Sequence, residues 1–387
     1  MSSFGSFLSG KQIIEIVRIS QAIMTDADVK DKDTMNKISG LCCYFLLLFS
    51  LTNCTEEVKQ YEKLVFDKEN AICIQDYEMP ICDSVMLETR DDALVNVQSK
   101  MCFDGKSYFL SNSNCVCRFD EKGCLKSVIG ALGHGRGEYE RMLDFTLNSD
   151  RNTVDILAAN AIYSYKYEGS FVERKQITIP ANSLCYNDGL YYLSTGNNTC
   201  YSKKCVSVCD GTLKMERELV EIGHDVNAMT YDFGAGEYLT FSFLYSHKAY
   251  RLCDGDVAYI YDMDFKNLKI PSELYDEKLD LVKAADIMSR NNFAMVNQFL
   301  ENQKYIYVQV LESQANTKDM LFYHWFVNKE TGKNVIIKND ASYYDTYNAN
   351  PQYLSKDNKL YFVGSMNKAD DNSRNPAIVV VDVSKVL

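Results

Sequence analysis

The stretch SYFLSNSNCVCRFDEKGCLKSVIG, Ser107 to Gly130, decides the fold. It reads as three short strands separated by two polar turns. In the middle strand Cys115, Cys117 and Phe119 share one face, while Val116 and Arg118 point the other way. This is the period-two pattern of a strand with two different surroundings. The Glu121-Lys122-Gly123 turn supplies a glycine able to take φ > 0 in a tight hairpin. The same phrase then returns along the chain. TVDILAANAIYSYKYEGSFVERKQI runs from Thr153 to Ile177, and a third unit begins with LYYLSTGNN at Leu190 and closes through CVSVCDGTLKMEREL at Leu219. A fourth runs from Tyr238 through YLTFSFLYSHKAYRL to VAYIYDMDF, a fifth from Tyr305 to Ile337, and a sixth from Lys359 to Val383. Glu168-Gly169, Asp210-Gly211 and Thr331-Gly332 occupy the matching turns.

Sheet units of roughly 40–50 residues match propeller blades in size. The repeats predict an all-β chain folded as a six-bladed β-propeller over residues 82–387. A β-sandwich is the competing architecture, and it leaves the similarity of the units unexplained. The last unit holds only enough chain for its inner strands. SVMLET, Ser84 to Thr89, stands just before the first inner strand, placed at Ala93 to Phe103, and can supply the missing outer strand. Such N-/C-terminal strand closure removes the exposed sheet edges. Ile270 to Ser289 breaks the pattern and reads as a helical insertion near 271–289. Pro271 and Ser272 suit its first turn, and Leu274, Leu279, Val282 and Ile287 form its apolar stripe.

Composition agrees with a β-rich globular chain. Of 387 residues, 46% are hydrophobic, which rules out global disorder, and 27 Tyr and 19 Phe against 5 Pro favour half-buried strands. The formal net charge of −12 argues against a nucleic-acid partner, which needs a basic face.

The N-terminal part carries an address. From Met35 the chain reads MNKISGLCCYFLLLFSLTNC, ending at Cys54. Asn36 and Lys37 form a short basic region, and Leu41 to Leu51 is apolar over the length of a signal-peptide core, too short to span a membrane comfortably. Together with Leu51-Thr52-Asn53 before Cys54, this resembles a bacterial lipobox, with Asn53 in place of the usual small residue. The resemblance implies acylation of Cys54. The alternative is a buried core helix. The acidic Thr55-Glu56-Glu57 that follows suits an exported tether better, and resembles a cell-surface sorting tract. The expected organisation is therefore a mis-called upstream segment at 1–34, a lipoprotein signal peptide at 35–53, a tether at 54–81 and the propeller. The membrane is the first expected partner, through the lipid. The expected location is the outer membrane, facing the periplasm or the cell surface.

Two stretches carry a further resemblance. IGALGHGRGEYERMLDFTLNSDRNTVDIL, Ile129 to Leu157, resembles the blade junction of six-bladed β-propeller lipoproteins of Gram-negative gut anaerobes. That family shows Gly-x-Gly-Pro-Gly-Glu-Tyr; this chain has Gly133-His134-Gly135-Arg136-Gly137-Glu138-Tyr139, with Arg136 at the proline position. YSHKAYRLCDGDVAYIYDMDFKNLKIPSEL, Tyr245 to Leu274, resembles the family's strand pair before an apolar-Pro corner, with Lys266 at a glycine position. The resemblance implies a secreted, lipid-anchored propeller and no particular chemistry. Wider kinship with NHL-type propellers implies binding.

Candidate sites are weighed against plainer readings. The Gly133–Gly137 loop lacks the spacing of a nucleotide-binding loop, and its glycines serve a sharp turn. Glu138 is expected to accept bonds from that loop's amides. None of His134, His224, His247 and His324 forms a His-x-x-x-His pair. Asp254-x-Asp256 and Asp262-x-Asp264 are too short for an EF-hand loop and read as solvated turn carboxylates. Cys115, Cys117, Cys205 and Cys209 fall on strand faces as small apolar residues rather than zinc ligands. Trp325 reads as core. Removing Cys42, Cys43 and Cys54 from the fourteen cysteines leaves eleven, so at least one thiol stays free. The resulting expectation is a non-catalytic binding module for a glycan, a peptide or an envelope protein. Its ligand residues are placed among His134, Arg136, Tyr250 and Arg251, because function gathers on propeller loops. No resident cofactor or metal ligand is assigned. Two alternatives stay open: a lactonase-like hydrolase with Ca²⁺ held in the central channel by several blades, and a structural subunit of an outer-membrane assembly.

Overall fold

A computed structural model describes residues 60–196, 201–222, 231–243, 246–275, 281–316, 320–339, 350–364 and 374–387. The segment expected to be a signal peptide, Cys54, Cys200 and His224 lie outside the described residues.

The chain first lays down three rim strands, β1 (Gln60–Val65), β2 (Ile72–Cys73) and β3 (Ile81–Met86). Antiparallel meanders follow. The first is β4 to β7 (Met101–Phe103, Ser107–Ser111, Val116–Asp120, Leu125–Ile129), and the next is β8 to β11 (Met142–Asn148, Thr153–Ala158, Ala161–Lys166, Phe171–Gln176). Then come β12 to β15 (Ser183–Asn187, Leu190–Ser194, Lys204–Cys209, Met215–Glu221) and β16 to β19 (Tyr231–Gly236, Leu239–Phe243, Lys248–Cys253, Asp256–Asp264). After helix α1 (Leu281–Arg290) come β20 to β23 (Phe293–Glu301, Tyr305–Ser313, Met320–Asn328, Asn334–Asn339) and β24 to β26 (Asn350–Leu354, Lys359–Gly364, Ala377–Asp382). The first strands of neighbouring meanders pack side by side, and β24 returns to β4. This is a β-propeller.

The rim strands finish it. β3 pairs antiparallel with β26, Ser84 opposite Val379 and Met86 opposite Ala377, so the expected join of the two chain ends is present. β1 adds in parallel to β19 and β2 to β23. The tether expected at 54–81 is therefore partly strand, wound along the outer edges of two meanders. The first inner strand is shorter than expected, Met101–Phe103, because Asn96 and Ser99 turn the chain with side-chain bonds to the Asn96 and Gln98 amides.

One sheet boundary also differs from expectation. The meanders at β16 and β24 are fused into a nine-stranded sheet by a two-residue parallel pairing, Ala235 with Tyr353 and Gly236 with Leu354. Gly236 makes the approach possible: a Cβ there would lie 2.6 Å from the Leu354 carbonyl oxygen.

The core lies between the meanders, and strand alternation divides it. Cys115, Cys117 and Phe119 pack against Ile378 and Val380 of β26 and Val85 of β3. Val116, on the other face of β6, packs with Phe145, Val154 and Ile156 of the next meander. Leu157 then turns to Leu184 and Tyr191 of the one after. Full burial of such a side chain stabilises by about 1.5–3 kcal/mol. Trp325 is buried in the next layers, edge-on to Phe66 at 5.5 Å.

The insertion expected near 271–289 is helical where it is described. A 3₁₀ turn spans Ser272–Tyr275 and α1 covers Leu281–Arg290, with 276–280 outside the described residues. Ala284, Ile287 and Met288 face Leu274, Phe293 and Leu311, whereas Val282 is 80% exposed. The stripe follows the i, i+3, i+4 spacing from Ala284, which leaves Val282 on the solvent side. Leu279 lies outside the described residues.

His324 of β22 is a buried core histidine. Its ring nitrogen lies 2.8 Å from the Tyr307 hydroxyl, and burial lowers its pKa from 6.5 to about 4. The unfolded chain therefore takes up the proton first. Stability from this group is complete above about pH 6.5 and falls as pH drops toward 4, by up to about 3 kcal/mol. Urea midpoints at pH 7.5 and 4.5 check this: His324→Gln is expected to lose part of the wild-type acid sensitivity, and equal sensitivity contradicts the assignment.

Candidate functional site

The meanders give the ring two unlike faces. Turns joining first to second and third to fourth strands lie on one face, and none exceeds five residues. The opposite face carries the longer connections, including residues 130–141 and 265–292. These are called the turn face and the loop face below.

The Gly133–Tyr139 segment is on the loop face. The Gly135 amide donates to Glu138 Oε2 at 2.8 Å, and the Gly133 amide to the Tyr139 carbonyl at 3.0 Å. The Tyr165 hydroxyl donates to the Gly137 carbonyl, and the Tyr139 hydroxyl to that of Asn114. The loop thus uses these polar groups on its own chain. His134 and Arg136 project from it into solvent; His134 Nδ1 lies 3.8 Å from Glu140.

Tyr250 and Arg251 sit elsewhere, on β18, and strand alternation separates them from each other. Tyr250 packs beside Phe243 and Ile260, and burial raises its phenol above the ordinary range. Arg251 points toward the turn-face end of the seam with the next meander. Its guanidinium lies 4.8 and 4.9 Å from the Tyr238 and Tyr259 rings and 3.1 Å from Glu301 Oε1. The same oxygen receives Lys329 Nζ at 2.5 Å and the Tyr261 hydroxyl at 2.6 Å. Glu301 is fully buried, so these contacts clamp β16–β19 to β20–β23. The four residues singled out from sequence are therefore not one site: two are on the loop face and two belong to the β16–β19 blade.

A cavity of about 370 Å³ opens on the loop face of that same blade. Lys63, His247, Asp262, Asp264, Lys269 and Ile270 are among its lining residues. Lys63 Nζ lies 2.9 Å from Asp264, and His247 Nε2 lies 3.5 Å from Asp262, which also accepts a bond from the Tyr61 hydroxyl. Lys63 holds the Asp264 carboxyl below its ordinary value, and Asp262 pushes the Tyr61 phenol up to about 12. Asp262 and Asp264 are thus strand-end residues that dock β1 rather than free turn carboxylates. Lys269 is exposed at the rim. The cavity presents ammonium, imidazole and carboxylate groups within one small space, which suits a polar ligand carrying both donors and acceptors. His247, Asp262 and Asp264 were weighed singly from sequence, but their grouping with Tyr61 and Lys63 was missed because β1 was assigned to a tether. The alternation in QYEKLV, with Tyr61 and Lys63 on one face, was the available signal.

Among the described residues no group of three His, Cys, Asp or Glu side chains is placed to hold a metal ion. All ten described cysteines are free thiols; Cys115, Cys117, Cys205 and Cys209 are buried, and burial pushes the Cys205 and Cys209 thiols up to about 12. Among the described residues no helix is long and apolar enough to cross a membrane.

One solved structure supports the fold, and two others align more loosely. A presumed exported protein of Bacteroides fragilis aligns over 83% of this chain and 98% of its own, with a TM-score of 0.60 and 14% identity. BamB of Moraxella catarrhalis aligns over 78% and 98%, with a TM-score of 0.39 and 8% identity. PorZ of Porphyromonas gingivalis, a surface component of the type-IX secretion system, aligns over 71% of this chain and 45% of its own, with a TM-score of 0.31 and 9% identity. No curated protein matches the sequence. A family model matches residues 62–378, and the chain belongs to that family, described as a domain of unknown function, DUF4934.

Proposed function

We propose that the protein is a lipid-anchored cell-envelope propeller of six blades that binds a ligand on its loop face without transforming it. The cavity beside His247 and Lys269 carries this reading, because it gathers opposite charges from β1, β19 and two connections into one recess. The count of six takes β16–β19 and β24–β26 with β3 as separate blades despite their short pairing. The lipobox-like segment ending at Cys54 supports attachment to the outer membrane. A glycan or a peptide segment of an envelope protein fits the mixed chemistry of the recess.

Arrays of glycans and peptides probed with the wild-type chain, His247→Ala, Lys269→Ala and the pair His134→Ala/Arg136→Ala test the site. Loss of one charge-assisted bond is expected to weaken a bound probe about tenfold in the cavity variants. Unchanged binding in both cavity variants overturns the assignment. Calorimetric melting with millimolar Ca²⁺ separates the channel-hydrolase alternative: the binding reading expects no stabilisation, and a clear rise in melting temperature contradicts it.

A further inference from the structure

The direction of β1 makes a short tether at Cys54 reach farther on one face of the propeller than on the other. β1 runs parallel to β19, with Gln60 opposite Tyr259 and Val65 opposite Asp264. β19 starts at the Asp254–Gly255 turn, on the turn face, and ends beside the cavity, on the loop face. The chain therefore enters the rim from the turn-face side. Tyr259 lies three residues into β19, which puts Gln60 about 10 Å from the turn-face end of that strand. Residues 55–59 separate Cys54 from β1, and the six steps from Cys54 to Gln60 span at most ~20 Å. An anchor at Cys54 thus reaches about 10 Å beyond the turn face. In the other direction the five steps from Gln60 to Val65 already consume about 17 Å before the loop-face end of β19 is reached. Toward the loop face the same tether clears the end of β19 by only about 3 Å, against about 10 Å on the turn face, and the long connection 265–292 projects from that end. The turns agree, since those of the turn face are all tight and the longer connections project the opposite way.

We infer that the propeller rests with its turn face toward the lipid surface and holds its loop face, with the charged cavity and the His134 loop, outward toward partners. This rests on the proposed acylation of Cys54.

Energy transfer to a headgroup acceptor in vesicles of phosphatidylethanolamine and phosphatidylglycerol tests it, using the mature lipidated chain. Cys82→Ser and Cys253→Ser remove two of the exposed thiols, and the one reporter is either the native Cys124 or, once Cys124→Ser is added, His134→Cys. These two positions flank β7 on the same side of the ring, so tilt of the ring affects them alike. Labelling of the triple-serine background is the blank. The five residues of β7 alone set the reporters ~17 Å apart in height, and transfer from Cys124 is expected to exceed that from position 134 about twofold. Equal transfer, or more from position 134, overturns the orientation while acylation stands. Absence of an acyl group on Cys54 by mass spectrometry, or vesicle binding by Cys54→Ala equal to wild type, overturns the anchor and the orientation together.

Discussion

Replacing Asn375 by alanine is expected to lower stability by about 4 kcal/mol, because one buried side chain closes the ring. Asn375 precedes β26 and is 4% exposed. Its Oδ1 accepts from the Val95 amide at 2.9 Å, and its Nδ2 donates to the carbonyls of Glu88 at 2.8 Å and Ala93 at 2.9 Å. Its own amide donates to Thr89 Oγ1. The side chain thus ties the start of the last strand to the chain between β3 and β4. Ala93 and Val95 are buried, so truncation strands backbone groups away from water, at about 1–3 kcal/mol each. Urea unfolding of wild type and Asn375→Ala measures the loss, with Thr89→Ala as a milder comparison. A change below about 1 kcal/mol would show that the clasp contributes no more than an ordinary surface position.

The inner architecture was legible in the sequence because its signals are local. Gly123, Gly169 and Gly332 take positive φ in the turns where the repeat placed them, whereas in the Asp210–Gly211 turn Leu213 takes it instead of Gly211. The faces of CVCRF divide between two cores as alternation requires. SVMLET was recognised as a closing strand because the sixth unit lacked one, and β3 fills that place, shifted to Ile81–Met86. β1 and β2 were missed for a physical reason. A strand added to the outer rim buries little: in QYEKLV only Leu64 is buried, so its composition resembles a polar linker. The parallel partner that makes it a strand lies some two hundred residues away. Ala93 and Val95 misled in the opposite sense, since they are buried and alternate yet belong to a loop held by Asn375.

The site was less legible than the fold. Arg251 was singled out, but its surroundings, Tyr238, Tyr259, Glu301 and Lys329, come from two blades and share no motif. The cavity likewise draws on Lys63, His247, Asp262 and Lys269, which are adjacent only once β1 is in place. A propeller builds its sites from strand ends far apart in sequence, so no spacing rule could reveal this one. His134 and Arg136 were visible because the glycine loop is continuous in the chain.

The ring closes through β3 on β26, and a cross-link between Ser84→Cys and Val379→Cys tests that closure most directly. The two residues are opposite partners on β3 and β26. Antiparallel partners have Cα separations of about 4.5–5.5 Å, within disulfide range. Cys82→Ser removes the exposed neighbouring thiol on β3. Mild oxidation is expected to join the two positions nearly completely, as a linked peptide pair in mass spectrometry. Closing a loop of about 300 residues is expected to raise stability by about 5 kcal/mol over the reduced form. Failure of the pair to cross-link, with both thiols reactive to alkylation in the folded protein, would contradict a ring closed between the ends of the chain.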